Sequence, residues 1–354
     1  MTYLDYQAST PLAPEARAAM LPWLDEGASA NPHSPHAQGR AAKAAVEVAR
    51  EQVAALFPAG GQVLFTGSAT EALNMAIQGS KARQLAVSAI EHAAVLDTAR
   101  AVAQCHELAV NAQGLVAPDA AIPAGTQLVA VMQVNNEIGT AQPVEQLAAR
   151  AHAAGALFLC DAVQGGGKLA PPAGADLIAL SAHKLHGPQG IGALWVRDGV
   201  ALQPLIHGGG QEGGLRSGTL SPALCAGFGA AAALALDHRE EDAAHVAALW
   251  QAARDVLANW TLNGSATERW KGNLNLRRDG LDVSRLTSEC RRIAFSAGSA
   301  CASGSGRPSH VLRAIGLSDA QAKSSIRLGF GRYTTIDELV TACAAIDAAA
   351  RAQE

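Results

Sequence analysis

The sequence predicts an α/β protein, with a large domain built on a mostly parallel sheet flanked by helices and a smaller α+β domain beside it. Three observations carry that expectation. Short apolar runs alternate with helical patterns through the first two thirds of the 354 residues. Such runs fit strands buried on both faces, as parallel strands are. From about Pro222 a long alanine-rich helical stretch leaves this rhythm, and beyond Leu262 strand and helix patterns mix. The large domain is accordingly assigned to residues 13–255, and the small one to residues 1–12 together with 256–354.

Taken in order, "GRAAKAAVEVAREQVAAL" (39–56) has the spacing of an amphipathic helix, and "QVLF" (62–65) reads as a strand. The stretch "LFTGSATEALNMAI" then runs from strand through a small-residue turn into a helix opening near Thr70. Strands follow at "QLAVSA" (84–89) and "QLVAVMQV" (127–134), a helix at "PVEQLAARAHAA" (143–154), and strands at "ALFLCDAV" (156–163), "ADLIALSA" (175–182) and "GALWV" (192–196). In the small domain "NLNL" (273–276) and "SIRLGF" (325–330) read as strands, and the chain closes on a helix within "TIDELVTACAAIDAAARAQE".

Composition narrows the function. Apolar residues make up 49% and charged residues 16%, so the chain is globular. A net charge of −4 gives no electrostatic case for nucleic acid or anionic membrane. The start, "MTYLDYQAST", has neither a basic region nor an apolar core, so nothing there marks the chain for secretion. The longest weakly polar run, "AGFGAAAALAL", has 11 residues, whereas a bilayer span needs about 20 strongly apolar ones. A cytoplasmic protein is expected. Six cysteines, at 105, 160, 225, 290, 301 and 343, include no C-x-x-C pair, so neither a disulfide framework nor a metal site is expected. Cys160, inside "ALFLCD", reads as a small core residue.

Functional groups of parallel sheets gather where strands end and loops begin. "ADLIALSAHKLHGPQG" puts Ser181, His183 and Lys184 at such an end. Most lysines are ordinary loop residues, but one desolvated between two apolar strands sheds its charge easily, as Schiff-base chemistry requires. Asp161 follows another strand directly, with Gln164 three residues on. A carboxylate there either caps a helix or keeps a pyridine nitrogen protonated, the means by which proteins tune pyridoxal phosphate. The helix start near Thr70 offers free N–H groups to an anion. His92 in "EHAAV" and Asn136 in "VNNEIG" complete the candidates from the large domain. One stretch, "SAGSACASGSG" (296–306), isolates Cys301 among small residues with no bulky neighbour to hold it in a core.

Alone, each piece is weak; their order is specific. "YLDYQASTP", "NPHSPHAQGR", "SATE", "EHAAVLDT", "VNNEIG", "DAVQ", "SAHKLHGPQGIGAL", "HGGGQEGGLRSGT", "GSACASG" and "SSIRLGFGRYTT" follow one another along nearly the whole chain. In that combination the chain resembles the cysteine desulfurases of the NifS/IscS type, a branch of the class V aminotransferase-fold enzymes. The resemblance implies the pyridoxal-phosphate-dependent transferase fold (fold type I), the cofactor pyridoxal 5'-phosphate, and a homodimer with its site at the subunit interface. It implies conversion of L-cysteine to L-alanine, with the sulfur carried to an acceptor protein, an iron–sulfur scaffold or a thiolation enzyme. A selenocysteine lyase or another class V enzyme is the alternative, although the aminotransferases lack the "GSAC" cysteine.

The resemblance also assigns roles. Lys184 matches the lysine that holds the cofactor covalently, Asp161 the partner of its ring nitrogen, and His92 the imidazole stacked on the ring. Asn136 and Gln164 match residues near the ring hydroxyl, with Asn136 also close to substrate. Thr70, Ser181 and His183 match the phosphate site, which Ala69 lines through its backbone. Thr219 matches a residue that reaches the phosphate from the second subunit. Arg327 matches the arginine that takes the substrate carboxylate, a task suited to a planar two-pronged donor. Cys301 matches the catalytic cysteine, and a tether of glycine, serine and alanine would let it reach the substrate's sulfur and then carry that sulfur out. Two details depart from the family. Gly67–Ser68 in "TGSATE" reverses the usual order, and Ala182 in "SAHK" replaces a common glycine.

Overall fold

Runs of leucine, valine and isoleucine become strands here because both sheet faces are covered. The computed structural model describes residues 1–25, 30–298 and 309–353. A short strand β1 (Thr2–Tyr3) opens the chain, and seven strands then form the main sheet. They are β2 (Gly61–Thr66), β3 (Gln84–Ser88), β4 (Gln104–Leu108), β5 (Leu128–Ala130), β6 (Leu157–Asp161), β7 (Leu177–Ser181) and β8 (Gly192–Arg197), in the spatial order β2-β8-β7-β6-β5-β3-β4. From β4 to β7 neighbouring strands are parallel, while β8 runs antiparallel to both β7 and β2. The sheet is thus mixed and mostly parallel.

Alternate residues of each strand serve opposite faces. Phe65, Phe158, Ile178 and Trp195 pack on one side with Val46 and Val53 of the helix Ala37–Ala54 and Phe228 of the helix Pro222–Asp237. Leu64, Leu159, Leu177 and Leu194 pack on the other with Leu73 and Ile77 of the helix Ala69–Gly79. Each such side chain, taken fully out of water, contributes about 1.5–3 kcal/mol. The strand β4 has no counterpart in the sequence reading. Its polar run Gln-Cys-His-Glu-Leu lies at the sheet edge and buries only Leu108, so it lacks an apolar signature. The long stretch from Pro222 is two helices, Pro222–Asp237 and Arg239–Val256, separated at His238.

A second sheet, order β12-β13-β10-β9, collects β9 (Thr261–Leu262), β10 (Asn273–Arg277), β12 (Ser296–Ala297) and β13 (Ser325–Gly329), all antiparallel. The strand β11 (Ile293–Ala294) pairs in parallel with β1. Leu274, Leu276, Ile326 and Leu328 pack with Val246 and Leu249 of the helix Arg239–Val256, with Leu339 and Ile346 of the helix Ile336–Arg351, and with Leu4. Leu4 therefore ties the amino terminus to the second sheet, and the segment after it runs on to the carboxyl ends of the main strands. Among the described residues no helix is long and apolar enough to cross a membrane, and no group of histidine, cysteine and carboxylate side chains could hold a metal ion.

Candidate active site

Because β6 and β7 are parallel neighbours, their carboxyl ends open on the same edge of the sheet. There β6 delivers Asp161, and β7 runs through Ser181 into the single turn Ala182–Lys184. Lys184 Nζ donates to the carbonyls of Gln7 (2.5 Å) and Ala8 (2.7 Å). The amino-terminal segment is laced to the same turn, since Thr10 donates to the His183 carbonyl from its N–H (2.8 Å) and its hydroxyl (3.0 Å). Ser181 Oγ lies 3.0 Å from His183 Nδ1. Burial and the neighbouring Lys184 cation push the His183 imidazole down to about 4, so the ring is neutral near pH 7.

Asp161 is buried and caps no helix; its Oδ1 accepts from Val163 N at 2.9 Å. Burial raises its carboxyl above the ordinary value, while the nearby His92, the Val163 N–H and the Lys184 cation pull the other way. His92 caps the helix Ala93–Val102 by accepting from Ala94 N at Nδ1 (3.1 Å). In a neutral ring that bond leaves the proton on Nε2. Glu91, just before it, is fully buried. It takes the Met132 N–H at 2.7 Å, and burial beside Asp161 holds its acid well above the usual carboxylate range.

Across the opening, β2 turns into the helix Ala69–Gly79. Ser68 Oγ accepts from Glu71 N (3.2 Å), Thr66 Oγ1 donates to the Ser68 carbonyl (2.8 Å), and Glu71 Oε2 accepts from Gly67 N (2.7 Å). The reversed Gly67–Ser68 order thus places a serine at the N-cap, where its side chain also lines the pocket. Helix amides in this first turn have no intrahelical acceptor. The start of β8 presses on the turn from behind. A Cβ on Gly192 would lie 2.8 Å from Ala69 N, closer than a real Cβ comes.

Arg327 reaches in from β13 and is 1% exposed. Its Nη2 pairs with Asp5 Oδ1 at 2.7 Å, and its Nη1 donates to the Asn136 carbonyl at 3.1 Å. Gln164 Nε2 donates to the Gln7 carbonyl at 3.1 Å, and its buried Oε1 has no partner among the described residues.

Residues from these elements line one pocket of about 280 Å³, near the small end for ligand sites. Of the residues expected from sequence, the pocket brings together Ala69, Thr70, His92, Asn136, Asp161, Gln164, Ser181, His183, Lys184 and Arg327. Thr219 does not line it and is exposed. Cys301 lies outside the described residues. The described chain on either side is tied down: Gly298 N donates to the Ser325 carbonyl (2.7 Å), Ser309 Oγ to Glu137 Oε2 (2.5 Å), and His310 Nε2 lies 2.9 Å from the Glu91 carbonyl. Sequence reasoning assigned nothing to Asp5, Gln7, Ala8, Glu91 or Glu137. Glu91 and Glu137 stand as charged residues beside candidate site residues, a signal that was available.

A lysine and an aspartate at adjacent parallel-strand ends, with a helix start opposite, define a fold type I enzyme, the architecture of pyridoxal-phosphate-dependent transferases. The family model "Aminotransferase class-V" matches residues 2–341, and the chain belongs to that family. Its relatives include cysteine desulfurase IscS of Rickettsia akari, 41% identical with 95% of this chain and 88% of that protein covered. A mitochondrial cysteine desulfurase of Arthroderma benhamiae is 42% identical, with 95% and 72% covered. Among solved structures, a NifS-like protein superposes with a TM-score of 0.89 at 29% identity, covering 98% of both chains. A structure described as SspA in complex with cysteine superposes at 0.82 with 35% identity, covering 95% of this chain and all of that one.

Proposed function

We propose that this protein is a cysteine desulfurase: it converts L-cysteine to L-alanine and leaves the sulfur on Cys301 as a persulfide for transfer to an acceptor protein. The observation that carries the reading is the meeting of Lys184, the buried Asp161 and the buried Arg327 in one pocket.

The donors present fit pyridoxal 5'-phosphate. The first turn at Ala69 and Thr70, with Ser181 and His183, suits the phosphate, and Gly192 keeps space for that turn. Asp161 suits a ring nitrogen, His92 the ring face, and Gln164 Oε1, without a partner among the described residues, a hydroxyl donor. When bound, the cofactor acts as an electron sink for the substrate's α-carbon. Asp161 holds a proton at the ring nitrogen, and the cation there favours its ionised form. Lys184 Nζ takes the α-proton and returns it. Arg327 orients the substrate by its carboxylate, with Asn136 alongside. Cys301 attacks as thiolate: the substrate's Cβ–Sγ bond breaks, a sulfur–sulfur bond forms on Cys301, and Cβ gains the proton that completes alanine. His92 Nε2 handles the proton at sulfur. Chemistry of this kind needs free thiols and suits a reducing compartment such as the cytoplasm. Thr219, exposed and away from its own pocket, is assigned to the phosphate site of the second subunit of a homodimer.

Mass spectrometry after brief exposure to L-cysteine tests the reading. An added sulfur on the Cys301 peptide is expected, together with borohydride fixation of the cofactor to the Lys184 peptide. Cys301→Ser should keep the cofactor and lose both persulfide and alanine. Alanine at the wild-type rate from that variant, or sulfur on another cysteine, would overturn it.

A further inference from the structure

Arg327 is the group assigned above to the substrate carboxylate, yet it already holds a carboxylate of the protein's own. Asp5 Oδ1 sits 2.7 Å from Nη2, with the two side chains 20% and 1% exposed. The placement is set by backbone. Asp5 bridges Gly329, two residues beyond Arg327 on the same strand, Gly329 N donates to the Leu4 carbonyl (2.8 Å), and Tyr6 N donates to the Gly329 carbonyl (3.3 Å). Ser296 Oγ lies 3.4 Å from Nη2, and Nη1 is turned to the Asn136 carbonyl. The buried Nε has no hydrogen-bond partner among the described residues. Donor capacity therefore remains on the guanidinium, but its positive charge is already matched.

We propose that Asp5 is a specificity-determining residue, which by neutralising Arg327 makes the carboxylate site accept zwitterionic amino acids and reject simple carboxylates. The inference rests on the assignment of Arg327 to the substrate carboxylate. A plain carboxylate entering beside Arg327 places a second anion against Asp5 and leaves one negative charge uncompensated where the dielectric is low. An α-amino acid brings its own ammonium group, a cation to set against Asp5. Discrimination of this sort works by repelling the wrong ligand as much as by attracting the right one.

Asp5→Asn tests this, because it keeps an acceptor for Nη2 and removes the charge. Expected are a KM for L-cysteine and a kcat each held within about threefold, because the zwitterion is the ligand the matched pair already accepts. Propionate, used as the plain carboxylate, should raise the unfolding midpoint of the variant and leave that of the wild type unmoved. That second readout needs no turnover. Asp5→Ser should behave in the same direction if Asp5→Asn does not fold. No propionate shift in the variant, or equal propionate shifts in variant and wild type, overturns the proposal. Arg327→Lys separates it from the reading beneath it. An unchanged KM in Arg327→Lys removes the carboxylate site and this inference together. A raised KM there, with propionate still excluded by Asp5→Asn, removes this inference alone.

Discussion

Burial acts on single residues here in ways that can be read by titration. His186 follows the lysine turn, donates from Nδ1 to the Pro11 carbonyl (2.9 Å), and meets the rings of Tyr6 and Tyr333 edge-on. It is 9% exposed, and burial pushes its imidazole down to about 4. In the unfolded chain the same group titrates near 6.5. The folded state therefore binds fewer protons between those values, so His186 contributes its full stability above pH 6.5 and loses it as pH falls toward 4. The loss amounts to about 3 kcal/mol at most. His186→Gln should flatten the stability profile across that window when midpoints of urea unfolding are measured pH by pH. An unchanged slope would show that His186 titrates in the fold as it does in the unfolded chain. Which residues surround the site was only partly legible at this scale. Lys184 and Asp161 end apolar strands and can be picked from local pattern. Asp5 and Gln7 enter the site through pairings with Arg327 and Lys184, and no local pattern records a partner so far along the chain.

Elements fix the positions of these residues through a few buried ion pairs. The glycine-rich connection after His207 has almost no apolar side chains, yet it is pinned twice. Glu212 is held at φ 50°, in the left-handed region, by what its carboxylate does. Its two oxygens accept from Arg50 Nη1 and Nη2 at 2.7 Å each, and from Phe65 N at 2.6 Å, with the Glu212 side chain 2% exposed. Further on, Arg216 Nε reaches Glu71 at 2.7 Å, the same carboxylate that holds Gly67 in the turn before the helix Ala69–Gly79. Arg50→Met strands the Glu212 carboxylate in a buried place, and should cost about 3 kcal/mol or more in global stability. Limited proteolysis should then cut the connection within residues 207–219 faster than in the wild type. Wild-type stability with unchanged cleavage would mean the pair is idle. The strands β2, β3, β6, β7 and β8 were legible because each is an apolar run. The strand β4 was not, since an edge strand with one buried leucine looks like any polar segment.

At the scale of the whole molecule, the question is how many chains make one site. Thr219 lies at the end of that doubly pinned connection, exposed, while the pocket of its own chain is lined by Ser68, Ala69 and Thr70 without it. The connection is anchored to its own chain through Glu212 and Arg216, so Thr219 is presented outward on a fixed base. If it serves the phosphate of a second subunit, two inactive variants should repair each other. Lys184→Ala disables the pocket in which it sits. Thr219→Asp sets a carboxylate against the phosphate of the opposite pocket. A dimer with one chain of each kind has one pocket with both defects and one with neither, so statistical mixing by co-expression should restore roughly a quarter of wild-type activity. Each variant alone should be nearly inactive and the Thr219→Asp protein should bind cofactor weakly, by absorbance after gel filtration. Were Thr219 to act within its own chain, every pocket in the mixture would carry one defect or the other, and co-expression would restore nothing.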